Sequence, residues 1–188
     1  MTTHYESTTW KRSALRWLPT FFGFPLGGFV AKLIAGPVDG LLAALIGGAI
    51  TGIVLGAVQS WGIGYNGPQA RRWTVAAAAG LAVGLVLGSA AVGYGTSLGD
   101  LVVQGAICGV AIGTAQALVL RSQLGRVAYL WAPALGALWA LGWATSTSIG
   151  VDVETQYVVF GASGALVVTA ATAVLPALLV IRSTGRAS

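Results

Sequence analysis

Cysteine, histidine and acid are scarce in this chain, and each shortage closes off a chemistry. Its 188 residues include one cysteine, Cys108, one histidine, His4, and five acidic residues. A single cysteine permits no intramolecular disulfide. No His/Cys/carboxylate cluster stands at metal-ligand spacing, so neither a metal, a haem nor any other cofactor is expected. The loop Gly62-Ile63-Gly64-Tyr65-Asn66-Gly67-Pro68 is glycine-rich but lacks the lysine pattern of a phosphate-binding loop. Charge as a whole is rare, at 8% of the residues, and uninterrupted hydrophobic stretches take its place. With 56% hydrophobic residues and a mean hydropathy of +0.82, the chain falls outside the soluble globular class.

The charges are sorted. Basic clusters at Lys11, Arg12 and Arg16, at Arg71 and Arg72, at Arg121 and Arg126, and at Arg182 and Arg186 alternate with acids at Asp39, Asp100, and Asp152 with Glu154. Only Glu6 and Lys32 fall out of step. Spanning a bilayer takes about 20 apolar residues, and stretches of that length lie between the clusters. Basic loops mark the cytoplasmic side. The expected fold is therefore all-α, with six transmembrane helices and both termini cytoplasmic, in the inner membrane of a bacterium. The expected spans are Trp17–Gly36, Leu41–Trp61, Trp73–Tyr94, Leu101–Leu120, Ala128–Ile149 and Val158–Ile181. Residues 1–16 form a cytoplasmic segment, 17–181 the membrane domain and 182–188 a cytoplasmic tail. No cleavage region follows the basic run from Lys11 to Arg16, so the first span is expected to be retained. The formal net charge of +5 is spread over loop ends, which points to anionic lipid head groups and not to nucleic acid.

Trp17, Trp61, Trp73 and Trp131 all fall at the expected cytoplasmic interface, where an indole gains from an apolar body and a wet N–H. Thr9 to Trp17 mixes Trp10 and Trp17 with three cations and reads as an interfacial anchor. Internal similarity runs through the chain. Gln59 precedes Trp73, and Gln116 precedes Trp131, each time across a basic loop; Leu118-Val119-Leu120-Arg121-Ser122 recurs as Leu179-Val180-Ile181-Arg182-Ser183. Three hairpins follow, with approximate bounds 17–72, 73–127 and 128–182, in one orientation and at a period of roughly sixty residues. The third hairpin departs by placing Pro176-Ala177 where a third glutamine is due.

Glycine supplies the packing pattern. Gly48-Gly52-Gly56, Gly80-Gly84-Gly88 and Gly105-Gly109-Gly113 each form a stripe at every fourth residue. Small-residue stripes let helix backbones approach closely in lipid. They also suit a second copy of the chain or another membrane protein as partner.

Candidate sites are few, and each has a structural alternative. Gln59, Gln116 and Gln104 either pin helix register through interhelical bonds or line a cavity for a lipid or small molecule. Lys32, the one charge inside a span, either snorkels outward beside Asp39 or serves transport. Trp139 and Trp143, one turn apart, either wall a site for a lipophile or pack against glycines. Asp39, Asp100, Asp152 and Glu154 either form an outer acidic ring that attracts cations or cap the helices they begin, and Ser97-Leu98-Gly99-Asp100 has capping-box spacing. Gly161-Ala162-Ser163-Gly164 resembles the Gly-x-Ser-Gly of rhomboid intramembrane proteases. A serine nucleophile needs a base, and His4 belongs to the opposite side of the membrane, so no catalytic residue is expected.

The elements Gly56 to Gln59, Gly113 to Arg121 and Gly136 to Trp143 give the chain a resemblance to a diffuse group of small bacterial multi-pass membrane proteins. That resemblance implies a membrane bundle and carries no activity with it. The expected function is a non-enzymatic accessory, assembly or scaffold subunit; the alternative is a small transporter, channel or lipophile carrier with the glutamines and Lys32 along its path.

Overall fold

The structure is a computed structural model that describes residues 11–149 and 162–184. His4, Glu6, Trp10, Asp152, Glu154, Gly161 and Arg186 lie outside the described residues, as do the first residues of the sixth expected span. The described residues are helical apart from short turns. Five helical runs are long and apolar enough to cross a membrane: Lys11–Ala35, Leu41–Ile63, Ala70–Ala91, Leu98–Ser148 and Ala162–Arg182. The first three are α1, α2 and α3. The fourth folds back on itself at the 3₁₀ turn Gly125–Leu130, giving α4 (Leu98–Leu124) and α5 (Trp131–Ser148). Gly125 enters that turn at φ +62°, a conformation that a side chain disfavours. The last run, α6, comprises Ala162–Thr172 and Val174–Thr184.

Two boundaries differ from the sequence reading in an informative way. The basic–aromatic segment is no separate anchor from Lys11 onward: it is the first part of α1, joined to Gly23–Ala35 through a 3₁₀ stretch at Leu18–Phe22 that contains Pro19. In α6 the break at Ala173 comes three residues before Pro176. Proline lacks the N–H that would reach the Thr172 carbonyl, and its ring crowds that oxygen.

Successive helices run antiparallel, and α6 returns to pack against α1, so the helices close into a ring. The α2–α3, α3–α4 and α4–α5 contacts are made through small residues. A Cβ added at Gly52 would lie 2.5 Å from the Ala77 carbonyl oxygen and 2.6 Å from Ala78 Cα; at Gly48 it would lie 2.7 Å from the Leu81 oxygen, and Gly56 faces Thr74. Gly80, Gly84 and Gly88 face Ile112, Cys108 and Gln104 in the same way. Gly105, Gly109 and Gly113 face Trp139 with Trp143, Leu135, and Ala132. The backbones therefore touch, and dispersion between them holds the pairs where apolar burial supplies no drive. Phe24, Leu55, Leu81, Ile112, Trp139 and Val168, one from each helix, fill the middle of the ring.

The lower half of α6 does not stay in the ring wall. Leu175 and Leu179 are buried with Trp17, Ile63, Trp73, Leu120 and Leu124, residues of α1 to α4. Beyond the proline break, α6 thus crosses beneath the ring at the end where Arg16, Arg71 and Arg121 lie, hereafter the basic end.

Candidate functional site

The polar residues inside the bundle gather one layer above that plug. Trp17, Trp73 and Trp131 stand near the starts of α1, α3 and α5, so alternating chain direction brings all three to the basic end. Each indole N–H donates to a polar side chain on the preceding helix around the ring. Trp73 Nε1 donates to Gln59 Oε1 at 3.2 Å, and Trp131 Nε1 to Gln116 Oε1 at 2.7 Å. Trp17 Nε1 donates to Thr172 Oγ1 at 3.0 Å, joining the first helix to the last. Gln116 Nε2 then donates to Gln59 Oε1 at 3.3 Å.

The donors fix the amides. An indole N–H only donates, so Trp131 requires the oxygen of Gln116 and leaves its nitrogen for Gln59. Trp73 likewise requires the oxygen of Gln59. The Thr172 hydroxyl, having accepted from Trp17, donates to the Val168 carbonyl at 2.8 Å. Gln116 is 1% exposed and Thr172 4% exposed, so these bonds are made away from water, where an unpaired group costs most. A small chamber of about 10 Å³ lies on the axis among Gln59, Gln116, Thr172, Trp17, Phe24 and Trp139. Amides, indoles and threonine do not titrate in the physiological range, so this network orients groups and moves no proton.

Thr172 is the member that sequence reading missed. Gln59 and Gln116 are 57 residues apart, and nearly the same interval again lands on Thr172. The Leu-Val-Leu-Arg match points one turn further on, to Pro176-Ala177, where the proline instead causes the break at Ala173. Trp17 and Trp73 are also corrected: at 1% and 0% exposure they are core donors, not interfacial anchors, because a buried acceptor is available to each N–H.

Of the other candidates, Trp139 borders the chamber and the rest lie elsewhere. Gln104 is buried toward the opposite end of α4 and packs against Gly88, so it does not join the other glutamines. Trp139 meets Phe24 edge-on with ring centroids 5.6 Å apart, and both Trp139 and Trp143 pack on Gly105. Lys32 is exposed in the last turn of the first span. Asp39 does not cap α2 either: Gly40 is the N-cap, without a side-chain bond. Asp100 does close a capping box, with Ser97 N to Asp100 Oδ2 at 3.1 Å and Asp100 N to Ser97 Oγ at 3.3 Å.

At the basic surface, Arg16 donates to the Trp61 carbonyl at 2.7 Å and lies 5.2 Å from the Trp61 ring centroid, a cation–π distance. They border a cleft of about 390 Å³ with Tyr65 and Gln69. On the outer wall, Val83, Leu87, Ala106, Val110 and Thr114 line an apolar furrow of about 650 Å³, where the Thr114 hydroxyl is returned to its own helix at Val110. Ser163 pairs with Ser146 at 3.3 Å, and the Gly164 N–H donates to Ser146 Oγ; no histidine lies among the described residues. Those residues likewise hold no group of three or more potential metal ligands. No family model, curated protein or solved structure matches the chain, so these side chains are what speaks for its function.

Proposed function

We propose that this chain is a non-enzymatic integral membrane protein, an accessory, assembly or scaffold subunit of a membrane complex. In this reading it crosses a bacterial inner membrane six times with both termini cytoplasmic, as three hairpins in one orientation. The observation that carries it is the closed axis at the basic end: the indoles of Trp17, Trp73 and Trp131 are each bonded to a side chain of the bundle itself, the chamber holds about 10 Å³, and α6 covers the basic end. With no internal path among the described residues, we read the protein as acting through its surface.

Three further features support the details. The 51-residue run Leu98–Ser148 is far longer than the roughly 20 residues one crossing needs, and it doubles back. Arg16, Arg71, Arg121 and Arg126 share one end of the helices, as cytoplasmic loops require. The three Trp-to-acceptor bonds, at a spacing near 57 residues, favour a threefold repeat. The same basic end suits anionic head groups.

A carrier would need a continuous polar or hollow route past Gln59 and Gln116, and none runs through the described residues. The experiment is purification in a gentle detergent, read by mass spectrometry with lipid and pigment extraction. A scaffold should bring down a defined protein partner, or a second copy, at fixed stoichiometry. Recovery of monomer alone, or of a stoichiometric small molecule that Gln116→Leu releases, would count against it.

A further inference from the structure

We propose that the axial chamber binds one internal water molecule, bridging the amides of Gln59 and Gln116 to Thr172. The proposal does not depend on the scaffold reading. It follows from counting hydrogen-bonding positions in the ring. The Gln59 oxygen already accepts from Trp73 and Gln116, while its amide nitrogen, with two N–H groups, has no protein acceptor among the described residues. Gln116 has spent one of its two N–H groups on Gln59. Thr172 Oγ1 accepts from Trp17 and donates to Val168, which leaves it one lone pair. All three residues line the chamber and are more than nine-tenths buried.

The size selects the ligand. A chamber of about 10 Å³ is close to the smallest that admits a water, and a buried water needs two to four polar partners. Water satisfies both amides as an acceptor and Thr172 as a donor. A cation is repelled by N–H groups. An anion finds no compensating charge in a wall of amides, aromatic rings and aliphatic side chains, and so meets the full cost of burial. An acyl chain is too large and leaves the amides unpaired.

The sequence supplies the cause. Threonine at 172 is shorter than the glutamines at the two corresponding places, by the length of the terminal amide. The water occupies the position that a third amide would fill.

The test is a structure of the full chain in lipid nanodiscs, at a resolution that shows ordered water, for wild type and for Thr172→Gln. Wild type should show one compact peak within about 2.7–3.2 Å of Gln59 Nε2 and Gln116 Nε2. In Thr172→Gln that peak should be replaced by the new amide. Absence of the wild-type peak, elongated lipid density, or a peak that persists beside the new amide would overturn the proposal. Should Thr172→Gln not fold, magnetisation transfer decides: water protons should reach the Gln59 side-chain nitrogen of wild type in bilayers, and no transfer would reject the site.

Discussion

Replacing Gln116 by leucine keeps the side chain's size and removes two interhelical bonds, the 2.7 Å bond from Trp131 and the 3.3 Å bond to Gln59. Interhelical bonds in membranes are worth about 0.6 kcal/mol on average and up to about 1.7, so the pair contributes roughly 1–3 kcal/mol. The larger consequence falls on Trp131, whose N–H is left without its acceptor, at about 1–3 kcal/mol. Gln59 keeps the Trp73 donor, so its carbonyl adds little. With some return from the added apolar contacts, Gln116→Leu should lose about 2–4 kcal/mol in total. Trp131→Phe removes the donor instead, and the double variant leaves neither group unpaired. The cycle should therefore show a coupling of about 1 kcal/mol or more, as expected for residues in contact. Reversible unfolding in mixed micelles, titrated with denaturing detergent, measures all four proteins. A Gln116→Leu variant within 0.5 kcal/mol of wild type, or an additive cycle, would refute the view that these bonds hold the ring.

Other perturbations test the remaining contacts. Gly52→Ala forces a methyl to within 2.5 Å of the Ala77 oxygen, which a backbone cannot yield cheaply; it should cost about 1–3 kcal/mol. Gly40→Ala, with nothing within 4 Å, meets no such clash and should cost at most about 1 kcal/mol, that of a poorer N-cap, in the same assay. Leu179→Ala should destabilise by about 2–5 kcal/mol because it opens the plug, while Leu178→Ala, at 37% exposure, should cost much less. With Cys108 replaced by serine, a cysteine at Gly99 should label only from outside the cell and one at Arg126 only from the cytoplasm. Labelling of Gly99→Cys only from within would reverse the proposed topology.

Much of the helical layout was legible because a lipid-spanning helix has a strong signature: about 20 apolar residues bounded by charge. The ends of α2 to α5 fall within about a turn of the sequence reading. The Ser97–Asp100 box was equally legible, since it depends on local spacing alone. Asp39 fails as a cap for the complementary reason: its position fits, but Gly40 takes the N-cap place, and nothing local distinguished the two. The Gln59–Trp73 and Gln116–Trp131 pairs were visible as recurring spacing but not as bonds, because spacing does not say which side of a helix faces its neighbour. Thr172 was hidden by chemistry. A threonine does not look like a glutamine, yet it offers the same acceptor oxygen to an indole. The plug was hidden because its cause, Pro176, reads as an interruption; where the released half goes depends on contacts with four other helices.

The closed axis is tested most directly by a cysteine placed at its centre. Ile112→Cys in a Cys108→Ser background puts a thiol where Ile112, 1% exposed, now sits above the plug. In native membranes a small, water-soluble, membrane-impermeant thiol reagent applied to either face should leave it unmodified for as long as the fold is intact, and label it only after unfolding. Rapid modification of the folded protein from either side would contradict a closed core and favour a carrier.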